Sequence, residues 1–235
     1  MALVTGGAFR IGRAICEMLA DCGAHVIIHY RSSASGAAEL QDQFDGRGVR
    51  SFTLQADLVS EEACRELIEQ AAAFKGSLDI LVNNAAVFRK DPLATTTADK
   101  LIGEFWPNLF APILVTRAFA ARAKPGRVVN MLDRRVAGLD PSCLSYVLSK
   151  KALADFTRMA ALDLAPDITV NAVAPGAILP PPGAGETYME EHADPVPLER
   201  PCTPVDVAAA VRYLLCEDAV TGQVLYIDGG QHLVC

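Results

Sequence analysis

The chain has 235 residues, 51% of them hydrophobic, which suits a single domain with a large core. Its net charge of -7 excludes the basic stripe that nucleic-acid binding requires, so no nucleic-acid partner is expected. The seven cysteines (Cys16, Cys22, Cys64, Cys143, Cys202, Cys216, Cys235) are odd in number and lack CxxC or Cys/His ligand spacing; reduced thiols in a cytoplasm are expected, and no metal site.

A first apolar strand, Ala2 to Val4, leaves no room for a charged leader and cleavage site, and no apolar run approaches the length of a membrane span. The text then reads TGGAFRIG, Thr5 to Gly12, followed by Arg13 to Ala20, where Ala14, Ile15, Met18 and Leu19 recur at helical spacing. Strand, glycine turn and helix make a phosphate cradle. Gly6 takes backbone angles closed to other residues, Gly7 lets the main chain approach a ligand, and Gly12 permits close helix packing beneath the positive amino end. The spacing departs from G-x-G-x-x-G, so on pattern alone an ordinary βα turn stays open.

A second strand, His25 to Tyr30, ends in HYRSS. Nicotinamide sites place an acid near this strand end for a ribose 2′-hydroxyl, or an arginine for a 2′-phosphate. No acid follows this strand end before Glu39, whereas Arg31, Ser32 and Ser33 offer a guanidinium fork and two hydroxyls, with Arg10 expected to reach the same region. NADP(H) is therefore favoured over NAD(H), although any one of these residues is equally read as part of a solvated loop.

A helix around Ala37 to Phe44 precedes a strand, Ser51 to Leu54, that ends at Asp57 and Leu58. Asp57 offers an acceptor for an adenine amino group, or a helix cap. An amphipathic helix, Ser60 to Phe74, leads to strand Leu78 to Val82 and to Asn83, Asn84, Ala85 and Ala86, whose small side chains leave space for a cofactor. Phe88 then stands as a ring-stacking platform or as a loop residue tucked into the core. In the apolar helix Leu101 to Ala121, Pro107 and Pro112 predict an irregular first half, and Asn108 is a polar residue that needs a buried partner.

The apolar run Val128 to Leu132 predicts a buried strand with Asp133 at its carboxyl end, where open α/β sheets place ligands. Tyr146 and Lys150 stand four apart in a segment with helical spacing (Leu144, Val147, Leu148), so both project from one face. The cation is expected to lower the phenol's pKa and make Tyr146 a general acid. The helix runs on to about Leu164, and a sixth strand, Thr169 to Ala174, ends at Pro175 and Gly176. The long Pro-rich, acidic stretch Ala177 to Pro201 is expected to be a substrate lid, with His192 its only histidine. A helix from Val205 to Leu215 and a strand from Val224 to Ile227 before Asp228-Gly229-Gly230 complete the series. Strands alternating with helices predict an α/β fold, a single Rossmann-type doubly wound parallel sheet with helices on both faces.

In this order TGGAFRIG, NNAA, Asn108, YxxxK, PG and DGG resemble the short-chain dehydrogenase/reductase family, over essentially the whole chain. The resemblance implies that Asn108 anchors a water relaying protons to Lys150, that Lys150 also binds the nicotinamide ribose, and that Tyr146 is the proton donor. It implies cofactor contacts from Gly6, Arg10, Ile11, Gly12, Tyr30, Arg31, Ser32, Ser33, Asp57, Leu58, Asn84, Ala85, Pro175 and Gly176. Thirteen residues before the tyrosine, where the family has a serine that holds a substrate carbonyl, stands Asp133. A carboxylate repels a carbonyl oxygen but accepts hydrogen bonds from, or protonates, a nitrogen heterocycle. That substitution, with Arg10 in the glycine turn, is similar to the pattern of pteridine reductases and bacterial dihydromonapterin reductases. There Arg10 would contact cofactor phosphate and pterin, Phe88 would stack the pterin on the nicotinamide, and His192 would be a substrate-side histidine.

Ala86 stands where a trypanosomatid-type pteridine reductase has a serine that bonds the pterin, and Phe9 replaces a basic residue beside the cofactor. HYRSS is one residue shorter than the basic run seen there. The implied reaction is NADPH-dependent reduction of a dihydropterin or folate, in a homotetramer assembled partly through the tyrosine-bearing helix. A carbonyl or 3-oxoacyl reductase and a low-turnover NADPH-sensing binding protein are the alternatives.

Overall fold

In the computed structural model, which describes residues 1–74, 77–123, 125–180 and 196–234, seven strands form one parallel sheet. They are β1 (Ala2–Val4), β2 (Val26–Tyr30), β3 (Ser51–Gln55), β4 (Ile80–Asn83), β5 (Gly126–Met131), β6 (Ile168–Pro175) and β7 (Val224–Ile227), in the order β3-β2-β1-β4-β5-β6-β7. The short apolar runs become central strands because a parallel sheet is covered on both faces and needs no polar side. Successive side chains point to opposite faces. Ala2, Val4, Val26 and Ile28 thus enter one core layer, while Leu3 and Ile27 enter the other.

Helices α1 (Arg10–Asp21), α2 (Ala34–Asp45) and α7 (Pro204–Cys216) cover the first face through Ile15, Leu19, Leu40, Phe44, Val207 and Val211. On the second face lie α3 (Glu61–Ala73), α5 (Ala111–Ala120) and α6 (Leu144–Asp163), supplying Leu67, Ile68, Val115, Phe119 and Ala160. The chain reverses direction across the sheet between β1 and β4, so a crevice opens at their carboxyl ends.

Between α4 (Ala98–Phe105) and α5 the expected irregularity is a π turn, Trp106–Phe110. Pro107 has no N–H to give the Gly103 carbonyl, which accepts from Arg89 Nη1 at 3.4 Å instead. Pro112 likewise removes the N–H that would reach the carbonyl of Asn108. Elsewhere the elements differ from the expected ones by a turn or less at either end; α1 begins at Arg10 instead of Arg13, with Arg10 itself at φ 54. Ser60 Oγ, not Asp57, caps α3 by accepting from the Ala63 N–H at 3.1 Å. Among the described residues no helix is long and apolar enough to cross a membrane, and no cluster of His, Cys, Asp or Glu is placed to hold a metal ion. The six described cysteines are free thiols; Cys235 lies outside the described residues.

Candidate active site

The glycine turn is built by mutual exclusion of side chains. Gly6 has φ 62, and a Cβ on Gly12 would fall 2.1 Å from the Gly6 carbonyl oxygen and 2.6 Å from Asn84 Nδ2. The start of α1 therefore rests directly on the turn. Asn84 Nδ2 donates to the carbonyls of Thr5 and Gly6 at 2.9 Å each, and Thr5 Oγ1 accepts from the N–H groups of Asn84 and Ala85. These bonds tie the end of β1 to the end of β4. Gly7 does not serve the expected purpose: a side chain there would meet Cys16 Sγ at 2.8 Å, so its smallness seats α1 and faces the core instead of a ligand.

Above the turn lies a cavity of about 730 Å³. Gly6, Arg10, Ile11, Gly12, Tyr30, Arg31, Ser32, Ser33, Asp57, Leu58, Asn84, Ala85 and Ala86 all line it, as do Phe9, Val87, Arg89 and Trp106. Trp106 closes one side by donating from Nε1 to the Leu58 carbonyl at 2.6 Å. Arg10 donates to the carbonyls of Leu179 and Pro180 at 3.1 and 2.7 Å; partial burial holds its pKa below the usual guanidinium value. Pro175 and Gly176 do not line the cavity, and Gly176 packs so closely on the Asp228 turn that a Cβ would lie 2.6 Å from Gln231 Oε1. His192, with residues 181–195 of the expected lid, lies outside the described residues.

Next to the cavity the carboxyl end of β5 and the first turns of α6 bring a second group together. The Tyr146 hydroxyl donates to Asp133 Oδ2 at 3.0 Å. Asp133 also accepts from the Arg135 backbone N–H at 2.9 Å and from its guanidinium at 3.2 Å. Arg135 in turn donates from Nε to Asp140 at 2.9 Å and lies 5.5 Å from the centre of the Phe88 ring. Burial works against the Arg135 charge, but Asp133 and Asp140 outweigh it and hold the guanidinium pKa above its ordinary value. The Phe88 ring is half exposed, not tucked into the core, and meets Tyr146 edge-on at 4.8 Å.

Tyr146 departs from expectation in one respect. Its pKa is raised well above 10, first by burial and then by the charge and hydrogen bond of Asp133. Lys150 does not offset this, because its ammonium donates to the Met131 carbonyl at 2.7 Å and stands 6.0 Å from the tyrosine ring centre. Burial pushes the Lys150 pKa down to about 8, against the opposing charges of Asp133 and Glu104. The pair is thus a firmly protonated phenol beside an ammonium that titrates close to neutrality.

Asn108, fully buried in the π turn, links the two groups. Its Oδ1 accepts from the Val87 N–H at 3.0 Å, and its Nδ2 donates to the Val87 carbonyl at 2.9 Å and to Glu104 Oε2 at 3.0 Å. Both amide protons are spent, so a water on Asn108 has only the second Oδ1 lone pair or the backbone carbonyl that Pro112 leaves without its helical donor. Val87 lines the cavity, and the next residue, Phe88, touches Tyr146.

Arg135, Glu104, Arg89 and His29 carry no motif in the sequence, and each matters through contacts with distant residues. His29, buried at the end of β2, accepts from the Gly6 N–H through Nδ1 at 3.1 Å, which leaves Nε2 protonated to meet the Ala56 carbonyl at 3.1 Å. Only the neutral ring makes both bonds, and burial lowers its pKa from 6.5 to about 4. An unfolded chain takes up this proton from about pH 6.5 downward and the fold refuses it until about pH 4. Stability is therefore expected to fall over that window by on the order of 3 kcal/mol from this ring. Urea unfolding at pH 7 and 4.5 should show a smaller acid loss in His29→Asn than in the parent; equal losses would assign the acid sensitivity elsewhere.

Comparison with known proteins adds three findings. The family described as enoyl-(acyl carrier protein) reductase matches residues 7–232. The chain is 34% identical over 237 residues to an uncharacterized oxidoreductase, YhxC, of Bacillus subtilis, covering 97% of this chain and 83% of that protein. It is 30% identical over 240 residues to the 3-oxoacyl-[acyl-carrier-protein] reductase FabG of Staphylococcus epidermidis, covering 99% and 98%. Among solved structures it resembles the FolM alternative dihydrofolate reductase 1 of Brucella canis complexed with NADP, with 36% identity and a TM-score of 0.94 over 99% of this chain and 93% of that one.

Proposed function

The chain belongs to the short-chain dehydrogenase/reductase family of oxidoreductases, and from that premise we propose that it reduces a dihydropterin or dihydrofolate with NADPH. The observation that carries this proposal is the 3.0 Å hydrogen bond between the Tyr146 hydroxyl and the Asp133 carboxylate. The carboxylate occupies the place where the family holds a carbonyl oxygen. An anion there repels a carbonyl dipole and accepts from the ring and amino N–H groups of a pterin. Likeness to FolM, whose name is that of a dihydrofolate reductase, supports the same substrate class.

The residues fit the cofactor. Arg31, Ser32 and Ser33 in the cavity supply the fork and hydroxyls that a ribose 2′-phosphate needs, with no acid at the end of β2 itself, and the turn at the amino end of α1 suits the pyrophosphate. When bound, NADPH supplies the hydride for a C=N carbon of the substrate. Tyr146, held protonated by burial and by Asp133, gives the proton. The phenolate so formed takes a proton back from solvent along the side of Lys150 and Asn108. Asp133 receives the substrate's N–H groups, Arg135 keeps that carboxylate in place, and the open face of Phe88 supports the flat ring. A homotetramer belongs to the same proposal.

The 30% identity to FabG supports a second reading, reduction of a 3-oxoacyl carbonyl. NADPH oxidation with dihydrobiopterin, dihydromonapterin, dihydrofolate and a 3-oxoacyl thioester separates the two. Pterin or folate turnover is expected, faster with NADPH than with NADH. Turnover of the thioester alone would overturn the pterin assignment, and tight NADPH binding with no turnover of any substrate would point to a sensing role.

A further inference from the structure

Glu104 is a buried carboxylate with no part in the chemistry above. It sits on the last turn of α4 with its side chain 1% exposed, and its two oxygens look in different directions. Oε2 accepts from Asn108 Nδ2 at 3.0 Å, and Oε1 faces the Arg89 guanidinium at 3.4 Å. Arg89 is 60% exposed and lines the cavity, and α4, which carries Glu104, packs against α6, which carries Lys150. A buried carboxylate with two polar contacts among the described residues is costly, and a simple helix-packing role would be met better by leucine or methionine.

We propose that Glu104 is a positioning residue of this reductase: its carboxylate fixes the Asn108 amide against Val87 and sets a buried negative charge on the helix that packs against the one bearing Lys150. The inference rests on Asn108 and Lys150 acting as proposed above and extends that proposal to a residue outside the motifs. Asn108 Nδ2 has two protons, one given to the Val87 carbonyl and the other to Glu104, so the amide cannot flip without losing both bonds. The charged groups around this centre come from three elements. Arg89 and Asp91 lie on the loop after β4, Lys150 on α6, and Asp133 at the end of β5. Burial raises the Glu104 pKa, Arg89, Asn108 and Lys150 oppose that rise, and Asp91 adds to it. Lys150 feels Asp133 and Glu104 as its two anions, both favouring the ammonium. Removing one of them leaves burial less opposed.

The test is Glu104→Gln, which keeps an acceptor for Asn108 and removes the charge. With selectively 13C-labelled lysine, the Lys150 Cε signal, assigned by its loss in Lys150→Met, is titrated in the protein without cofactor or substrate. Its midpoint, about 8 in the parent, is expected to move down by about half a pH unit or more in Glu104→Gln. The alkaline limb of the pH profile of kcat/KM for the reduced substrate should move down with it, while Glu104→Asp, which restores the charge, should bring the midpoint most of the way back. A Lys150 midpoint that is the same in the parent and in Glu104→Gln would overturn the proposal. So would an Asp variant that shifts as far as the Gln variant. The Lys150 titration requires no pterin, so its outcome is independent of which substrate the enzyme takes.

Discussion

Tyr146→Phe is expected to lower kcat for dihydropterin reduction by about 10²- to 10⁴-fold while leaving NADPH affinity nearly unchanged, because only the transferable proton is removed. The ring remains buried against Phe88, and Asp133 keeps both the Arg135 backbone N–H and its guanidinium, so no uncompensated buried charge is created. Single-turnover reduction, followed by NADPH absorbance, separates the chemical step from release. A variant that reduces pterin at the parent rate would show that the proton comes from another group. The raised pKa of Tyr146 adds a second readout: the phenol stays protonated throughout the neutral range, so an alkaline loss of activity near pH 8 in the parent reports Lys150 and not the tyrosine.

For Asp133→Ser, pterin kcat/KM is expected to drop by about 10- to 100-fold, the worth of a charge-assisted hydrogen bond to the substrate, with the NADPH dissociation constant unchanged. Serine is the informative replacement. It can still cap the short turn Arg134–Val136 by accepting from the Arg135 N–H, as Asp133 Oδ1 does at 2.9 Å, so the local backbone should hold. Arg135 retains Asp140 as its partner. Serine also restores the group with which the wider family holds a carbonyl, so the ratio of 3-oxoacyl to pterin turnover should rise. Steady-state rates with both substrates check this, and pterin kcat/KM equal to the parent's would remove Asp133 from substrate recognition.

Most of the architecture was legible before any coordinate was known. The alternation of short apolar runs with amphipathic stretches depends on residues a few positions apart, and those spacings alone dictate strands, helices and a doubly wound parallel sheet. The irregular turn ahead of α5 was foreseeable for the same reason, since Pro107 and Pro112 lack the N–H groups a regular helix uses. Asp133 was legible as a ligand-side group from its place at the carboxyl end of a strand, and its pairing with Tyr146, thirteen residues on, from the family resemblance.

Long-range packing decided the rest. Gly7 is small for Cys16 beneath it, not for a ligand above it. The expected lowering of the Tyr146 pKa became a rise, because spacing placed a cation nearby but could not show that burial and Asp133 would dominate or that Lys150 would turn to the Met131 carbonyl. His29 and Glu104 owe their importance to Gly6, Ala56, Arg89 and Asn108, partners contributed by other turns of the chain. Sequence by itself determined which elements form and which chemical groups stand at their ends. Only the tertiary structure set their protonation and orientation, because desolvation and Coulomb interaction depend on what surrounds a group in space.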